Sequence, residues 1–210
     1  MKTTMTMSKA KPITALVTAG LLLAAMPLSA LADSLNYNFW QLAYVSADID
    51  GIPDKFDGWG VGGSVEVTDE IFLTAAYTDI SADIGGFNIS EQDLALSVGY
   101  AYPVAANTDV IGRVGYVRAE LDAESLGDAT DDGYSLGVGV RTRPLDPIEL
   151  EANVTYVDLS DAGDTTSFGI GGYWYFTPQV AFALTGAYSD DVESFSIGFR
   201  GTWGRNATRD

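Results

Sequence analysis

Ser194-Phe195-Ser196-Ile197-Gly198-Phe199-Arg200-Gly201-Thr202-Trp203 decides how this chain folds. Phe195, Ile197, Phe199, Gly201 and Trp203 form one series. Ser194, Ser196, Gly198, Arg200 and Thr202 form the other. Successive side chains of a strand point to opposite faces, so this is a β-strand with one apolar face that ends on an aromatic.

Working back from it, the same pattern recurs. Over 167–176, Phe168, Ile170, Gly172, Trp174 and Phe176 share a face. Over 148–157, Leu150, Ala152, Val154 and Tyr156 oppose Glu149, Glu151, Asn153 and Thr155. Over 134–143, Tyr134, Leu136, Val138 and Val140 oppose Ser135, Gly137, Gly139, Arg141 and Arg143. Over 93–102, Leu94, Leu96, Val98, Tyr100 and Tyr102 oppose Asp93, Ala95, Ser97, Gly99 and Ala101. Over 58–67, Trp59, Val61, Val65 and Val67 oppose Gly58, Gly60, Gly62, Ser64 and Glu66. Fainter alternation covers 37–46, 71–79, 109–119 and 180–188. The pattern predicts about ten strands of some nine to eleven residues, the length a tilted strand needs to cross a bilayer. Eight is the count if two of the faint strands belong to loops.

The connections alternate as well. Thr68-Asp69-Glu70, 103–108, 144–147 and Thr177-Pro178-Gln179 are short. Those at 47–57, 80–92, 120–132, 158–165 and 189–193 are longer, and most of the 29 acidic residues lie in them. Short turns at one end and long loops at the other predict a membrane barrel with both termini on the short-turn side.

The chain begins with Lys2, Lys9 and Lys11, an apolar run over 13–23, Pro27, and Ala30-Leu31-Ala32 ahead of Asp33. That is the layout of an export signal cleaved after Ala32; the run is short for an anchor and no charged stop follows. The chain therefore divides into a signal over 1–32, a barrel over 33–203 and a short tail over 204–210. Without the signal, eight basic residues face 29 acids, a net charge of −21. Such a chain repels nucleic acid. It contains no cysteine, which rules out disulfides and thiolate sites.

Periodicity alone does not say which face of the barrel points outward. The polar series is rich in Gly, Ala and Ser with few charges, which suits a narrow lumen better than a solvated exterior. The apolar series places aromatics near strand ends: Trp40, Trp59, Tyr100, Tyr102, Tyr134, Tyr156, Trp174 and Trp203. Aromatics there form the interface girdles of a membrane barrel. A soluble exported barrel with the opposite orientation fits less well. The expected fold is all-β, a transmembrane antiparallel up-and-down barrel.

With its aromatic-ended last strand, the mature chain resembles the small OmpA-like outer-membrane β-barrel proteins. The resemblance implies residence in the outer membrane of a Gram-negative cell. It also implies insertion by the barrel-assembly machinery and contact with outer-membrane lipid and lipopolysaccharide. One departure is that Gly204 to Asp210 follow the final aromatic. This tail is too short for a peptidoglycan-binding domain.

Several motifs carry no chemistry. Gly58, Gly60 and Gly63 match a dinucleotide fingerprint, but no helix pattern follows, and they are expected to be small inward residues of a crowded wall. Asp48-Ile49-Asp50-Gly51 begins like a calcium loop, yet its twelfth position is Trp59, where a carboxylate is required. The chain has no histidine, which removes Ser-His and Asp-His catalysis. No enzyme activity and no cofactor are expected.

By strand phase, Glu66, Asp93, Arg113, Arg141, Arg143, Glu149, Glu151 and Arg200 face the lumen. An arginine on the lipid face would cost about 2–4 kcal/mol at mid-depth. Arg141 and Arg143 lie opposite Glu149 and Glu151 across a short turn, so cross-strand ion pairing is expected to plug the lumen. The acidic loops would then provide the protein's contacts, through a basic extracellular partner or through divalent cations bridging to lipopolysaccharide. Oxygen-only ligands favour calcium or magnesium over zinc, and no spacing pins a site. A narrow channel for ions or small solutes is the alternative function.

Overall fold

The computed structural model describes residues 35–123 and 127–204. Ten antiparallel strands run β1 (Phe39–Ile49), β2 (Phe56–Glu66), β3 (Ile71–Ile84), β4 (Phe87–Ala105), β5 (Thr108–Ala123), β6 (Gly127–Leu145), β7 (Ile148–Leu159), β8 (Gly163–Tyr175), β9 (Val180–Ser189) and β10 (Val192–Thr202). Each pairs with its sequence neighbours, and β1 with β10 closes the wall, from Phe39 opposite Thr202 to Ile49 opposite Val192. No edge is left at the seam. The predicted signal over 1–32 lies outside the described residues, as does the tail beyond Gly204.

Partners followed once round the wall return to β1 about twelve residues beyond the start. For ten strands that stagger gives a tilt of about 40°. At this tilt β1, β2, β9 and β10, of 10 or 11 residues, rise roughly 25 Å, the height of the apolar band of an outer-membrane barrel. β4 and β6, with 19 residues each, rise roughly 45 Å and overtop their neighbours on one side of the barrel.

This overturns the reading of 80–92 and 120–132 as loops. Both are mostly strand. β3 and β4 stay paired to Ile84 and Phe87, and the turn is Gly85-Gly86, both at positive φ (64° and 88°). Two left-handed residues form the tight turn that matches strand twist. β5 and β6 stay paired to Ala123 and Gly127. The asymmetry between the two ends therefore lies in strand length. Above the barrel proper neither face of these ribbons is consistently buried; β6 begins with four exposed residues, Gly127 to Thr130. No apolar alternation was available there to mark a strand.

At the opposite end β4 and β6 continue through Pro103 and Pro144 into register shifts at 103–105 and 142–145. Proline has no N–H for the ladder and is tolerated at such bulges.

The lumen has three layers. Small and hydroxyl side chains fill the middle, with Thr74–Ser97 and Thr185–Ser196 hydroxyl contacts of 2.6 Å. Toward the long hairpins the inner wall is aliphatic: Val45, Ala47, Ile49, Phe56, Ile80, Ala82 and Val192 pack together, and Val117, Ala119, Val157 and Leu159 form a second cluster. The expectation from sequence is small and polar residues, with a few charges, along the whole inner face. β1 shows why it fails, since Val45, Ala47 and Ile49 alternate with Tyr44, Ser46 and Asp48 and bury the apolar series inward. The third layer, toward the termini, is charged.

Candidate functional site

The charged layer is built where β7 and β10 approach the terminal end. Arg200 is fully buried. Its Nη1 lies 2.7 Å from Glu149 Oε1 and its Nη2 3.1 Å from Glu151 Oε2. Arg141 donates from Nε to the same Glu149 Oε1 at 2.9 Å, and its Nη2 lies 2.9 Å from that oxygen. Glu151 is the backbone partner of Arg141, yet Arg141 pairs with Glu149 and leaves Glu151 to Arg200. Gln41 Oε1 accepts from Arg200 Nε at 3.3 Å, and Tyr175 donates to Glu149 Oε2 at 3.3 Å. Aromatic faces complete the shell. Arg200 lies 3.4 Å from the Tyr173 ring centroid and 4.3 Å from that of Phe39, and Arg141 lies 4.6 Å from that of Tyr37. The four buried charges thus satisfy one another through shared hydrogen bonds, as buried ion pairs must to offset their desolvation.

The residues just ahead of β1 seal this layer from below. Tyr37 donates to Asp109 Oδ2 at 2.7 Å and stacks on Phe72 at 4.5 Å. Leu35 joins Tyr37, Phe72, Ala101 and Ile111 in one buried cluster. The Asn36 carbonyl accepts from Arg141 Nη2 at 2.9 Å, and its side chain donates to the Trp203 carbonyl at 2.9 Å. Glu66 fastens the segment, accepting from the Tyr37 amide at 2.9 Å and from Asn38 Nδ2 at 2.8 Å.

The eight lumen charges named from sequence thus take four different positions. Arg141, Glu149, Glu151 and Arg200 form one buried ion-pair network, and Glu66 clamps the N-terminal segment at its rim. Arg113 and Arg143 lie over the rings of Phe72 and Tyr175, at 5.5 and 4.4 Å. Asp93 is apart, in the aliphatic layer on the far side of the middle.

Sequence reasoning missed Glu91, Asp109, Tyr37, Phe39, Gln41, Tyr173 and Tyr175. Inward phase alone would have found most of them. Tyr173 and Tyr175 sit on the polar series of β8, where a large aromatic has no place in a lumen unless something stacks on it.

The eight interface aromatics point outward, and Tyr156 is half-buried beside Tyr134 at 6.3 Å. Trp40, Tyr100, Tyr102, Trp174 and Trp203 ring the terminal end; Trp59, Tyr134 and Tyr156 lie toward the hairpins. Gly63 also faces outward, next to Trp40, so of the three fingerprint glycines only Gly58 and Gly60 are inward.

An apolar outer wall with an aromatic belt at each rim, closed without an edge around a charged interior, defines a transmembrane β-barrel. The family model described as outer membrane protein beta-barrel domain matches residues 15–201. The chain belongs to that family, and its place is the cell outer membrane. The end with the termini and short turns is accordingly periplasmic. Among solved structures it is similar to the NanC porin, at 9% identity and TM-score 0.50, covering 77% of this chain and 100% of that one. It is also similar to the N-terminal β-barrel domain of Pseudomonas aeruginosa OprF (10% identity, TM-score 0.45, 79% and 99% covered) and to Ail of Yersinia pestis (10%, 0.41, 79% and 95%). At such identities the likeness is one of fold. No curated protein matches the chain in sequence.

Proposed function

We propose that this protein is a closed, non-enzymatic barrel whose outer hairpins, not its lumen, meet its surroundings. The observation that carries the reading is the double closure: an ionic plug sealed by residues 35–38 at the periplasmic end, and an aliphatic layer at the outer end. Between them the lumen keeps cavities of about 40 and 60 Å³, space for a few waters.

What such a barrel presents outside is the raised β3–β6 sheet. β6 pairs with β7 only from Gly133 onward, while Ser160 bonds the Asp132 carbonyl and Asp131 takes the amides of Asp161 and Ala162, so Gly127 to Thr130 form an open edge guarded by Asp128. Charges on an edge prevent indiscriminate pairing and suit a basic partner or a cation-bridged lipopolysaccharide phosphate layer. Below it, the outward Trp, Tyr, Leu and Val side chains meet outer-membrane lipid.

The test is to replace residues 121–129 with an Asn-Gly turn, keeping the Glu120–Thr130 pair. The shortened protein should still fold as a heat-modifiable barrel in the outer membrane while losing the surface phenotype, measured as cell adherence and resistance to envelope stress. Unchanged adherence and resistance would refute the hairpin role. The other reading, a narrow channel, draws on the polar middle layer alone and predicts conductance.

A further inference from the structure

We propose that Glu91 and Asp93 bind a divalent cation, calcium by preference, in the outer half of the lumen. The two are successive inward residues of β4, each 2% exposed. Both oxygens of Glu91 and Oδ1 of Asp93 have no hydrogen-bond partner. Their strand neighbours do not compensate. Glu91 lies opposite Ile80 and Leu121, and Asp93 opposite Ala119 and the buried Thr78. An unpaired carboxylate in such surroundings is among the costliest groups a protein can bury.

The rest of the lumen shows that the deficit is one of positive charge. Arg113, Arg141, Arg143 and Arg200 face Glu66, Asp109, Glu149 and Glu151, four against four, all toward the periplasmic end. Asp131, at the outer rim, accepts from the amides of Asp161 and Ala162. Among the described residues this leaves Glu91 and Asp93 as two negative charges with no inward-facing basic side chain at their level; Arg118, opposite Leu94, lies on the outer face and bonds Glu120. The nearest inward arginine along the wall, Arg113, pairs with Gly99, six residues below Asp93 on β4, roughly 20 Å away. One divalent cation cancels the pair.

The donor set is oxygen only: two carboxylates, able to bind through both oxygens, and the Thr78 hydroxyl on the adjoining strand. Calcium accepts bidentate carboxylates and irregular geometry, and one or two waters would complete its roughly six to eight oxygens, whereas magnesium demands a near-ideal octahedron that two bidentate carboxylates do not offer. The ion would join β3 to β4 inside the membrane, independently of the surface acids.

The test uses the whole refolded protein in detergent at constant pH, reading the temperature at which the folded gel band gives way to the unfolded one. Calcium at about a hundredfold over its dissociation constant should raise that midpoint in the wild type by about 5 °C or more over EDTA. Equal magnesium should raise it less. Calorimetric titration should show one buried calcium per chain that is lost in Glu91→Gln/Asp93→Asn. The double variant should melt higher than the wild type in EDTA, having no unpaired charge, and should not respond to calcium. If it misfolds, Asp93→Asn alone gives the same comparison. A wild type indifferent to calcium overturns the proposal, as does a double variant that keeps the wild-type response. A midpoint that rises on acidification yet ignores calcium also overturns it, and shows that the pair holds a proton instead.

Discussion

Arg200 on β10 and Glu149 on β7 meet at 2.7 Å inside the barrel, although β8 and β9 separate them along the wall. The contact ties two strands that lie three apart in the ten-strand wall, and Glu149 Oε1 is shared with Arg141. One carboxylate oxygen thus anchors two guanidiniums from strands on either side of β7 and beyond.

Removing Arg200 strands Glu151 in a buried site and takes from Glu149 one of its two guanidiniums. Arg200→Ala is expected to destabilise the barrel by about 3–5 kcal/mol, read as a lower urea midpoint of refolded protein in detergent. Replacing Arg141, Arg200, Glu149 and Glu151 together by apolar residues of similar volume should cost less than the single change. A quadruple variant weaker than Arg200→Ala would mean that the ion pairs are net stabilising in themselves.

The Tyr37 hydroxyl is one of the ties that hold the segment below the charged layer. Tyr37→Phe keeps the stacking on Phe72 but leaves the buried Asp109 carboxylate without its donor, a loss of about 1–3 kcal/mol. Tyr37→Ala also removes the ring, and should render the 35–38 segment sensitive to protease added from the periplasmic side of reconstituted vesicles. Equal protease resistance in the two variants would show that the ring does not hold the segment.

Closure of the β1–β10 seam depends on a bare backbone. A Cβ at Gly198 would lie 2.0 Å from the Leu42 carbonyl oxygen and 2.6 Å from Ala43 Cα, neither of which can move without parting the strands. Gly198→Ala should cost about 3 kcal/mol or more and cut the yield of the heat-modifiable folded form. Gly112→Ala, where nothing lies within 4 Å, is the matched control and should fold normally.

Strand alternation was legible wherever one face meets lipid, because a membrane enforces apolarity at every second position. β7, β8 and β10 therefore stand out in sequence with little ambiguity. Legibility ended where that constraint ends. Above the bilayer Asp128, Ala129 and Thr130 sit in a ribbon wet on both sides, and only the glycine pair Gly85-Gly86 hints at a tight turn. In the lumen, phase correctly separates inward from outward residues but carries no information on reach across the barrel. Nothing local says that Arg200 should find Glu149, or that Arg141 should pass over its direct partner Glu151. Asp93 has the same phase as the plug arginines, yet its height on β4 places it in another layer. Height is set by the stagger of all ten strands together, which no single strand encodes.

The two closures act in series, so breaking one should not open the barrel. Arg200→Ala is expected to weaken the fold and still pass no current, because Phe56, Ile80 and Val192 continue to fill the outer half. Arg200→Ala combined with Phe56→Ala and Ile80→Ala should show intermittent openings.

Single-channel recording of the refolded wild type in planar bilayers tests the closed-barrel account most directly. Protein shown to be folded by heat-modifiable migration, and to be inserted, should leave the bilayer at its baseline leak at moderate voltage of either sign. A steady, ohmic step of reproducible size from the wild type would contradict the account and identify the barrel as a channel.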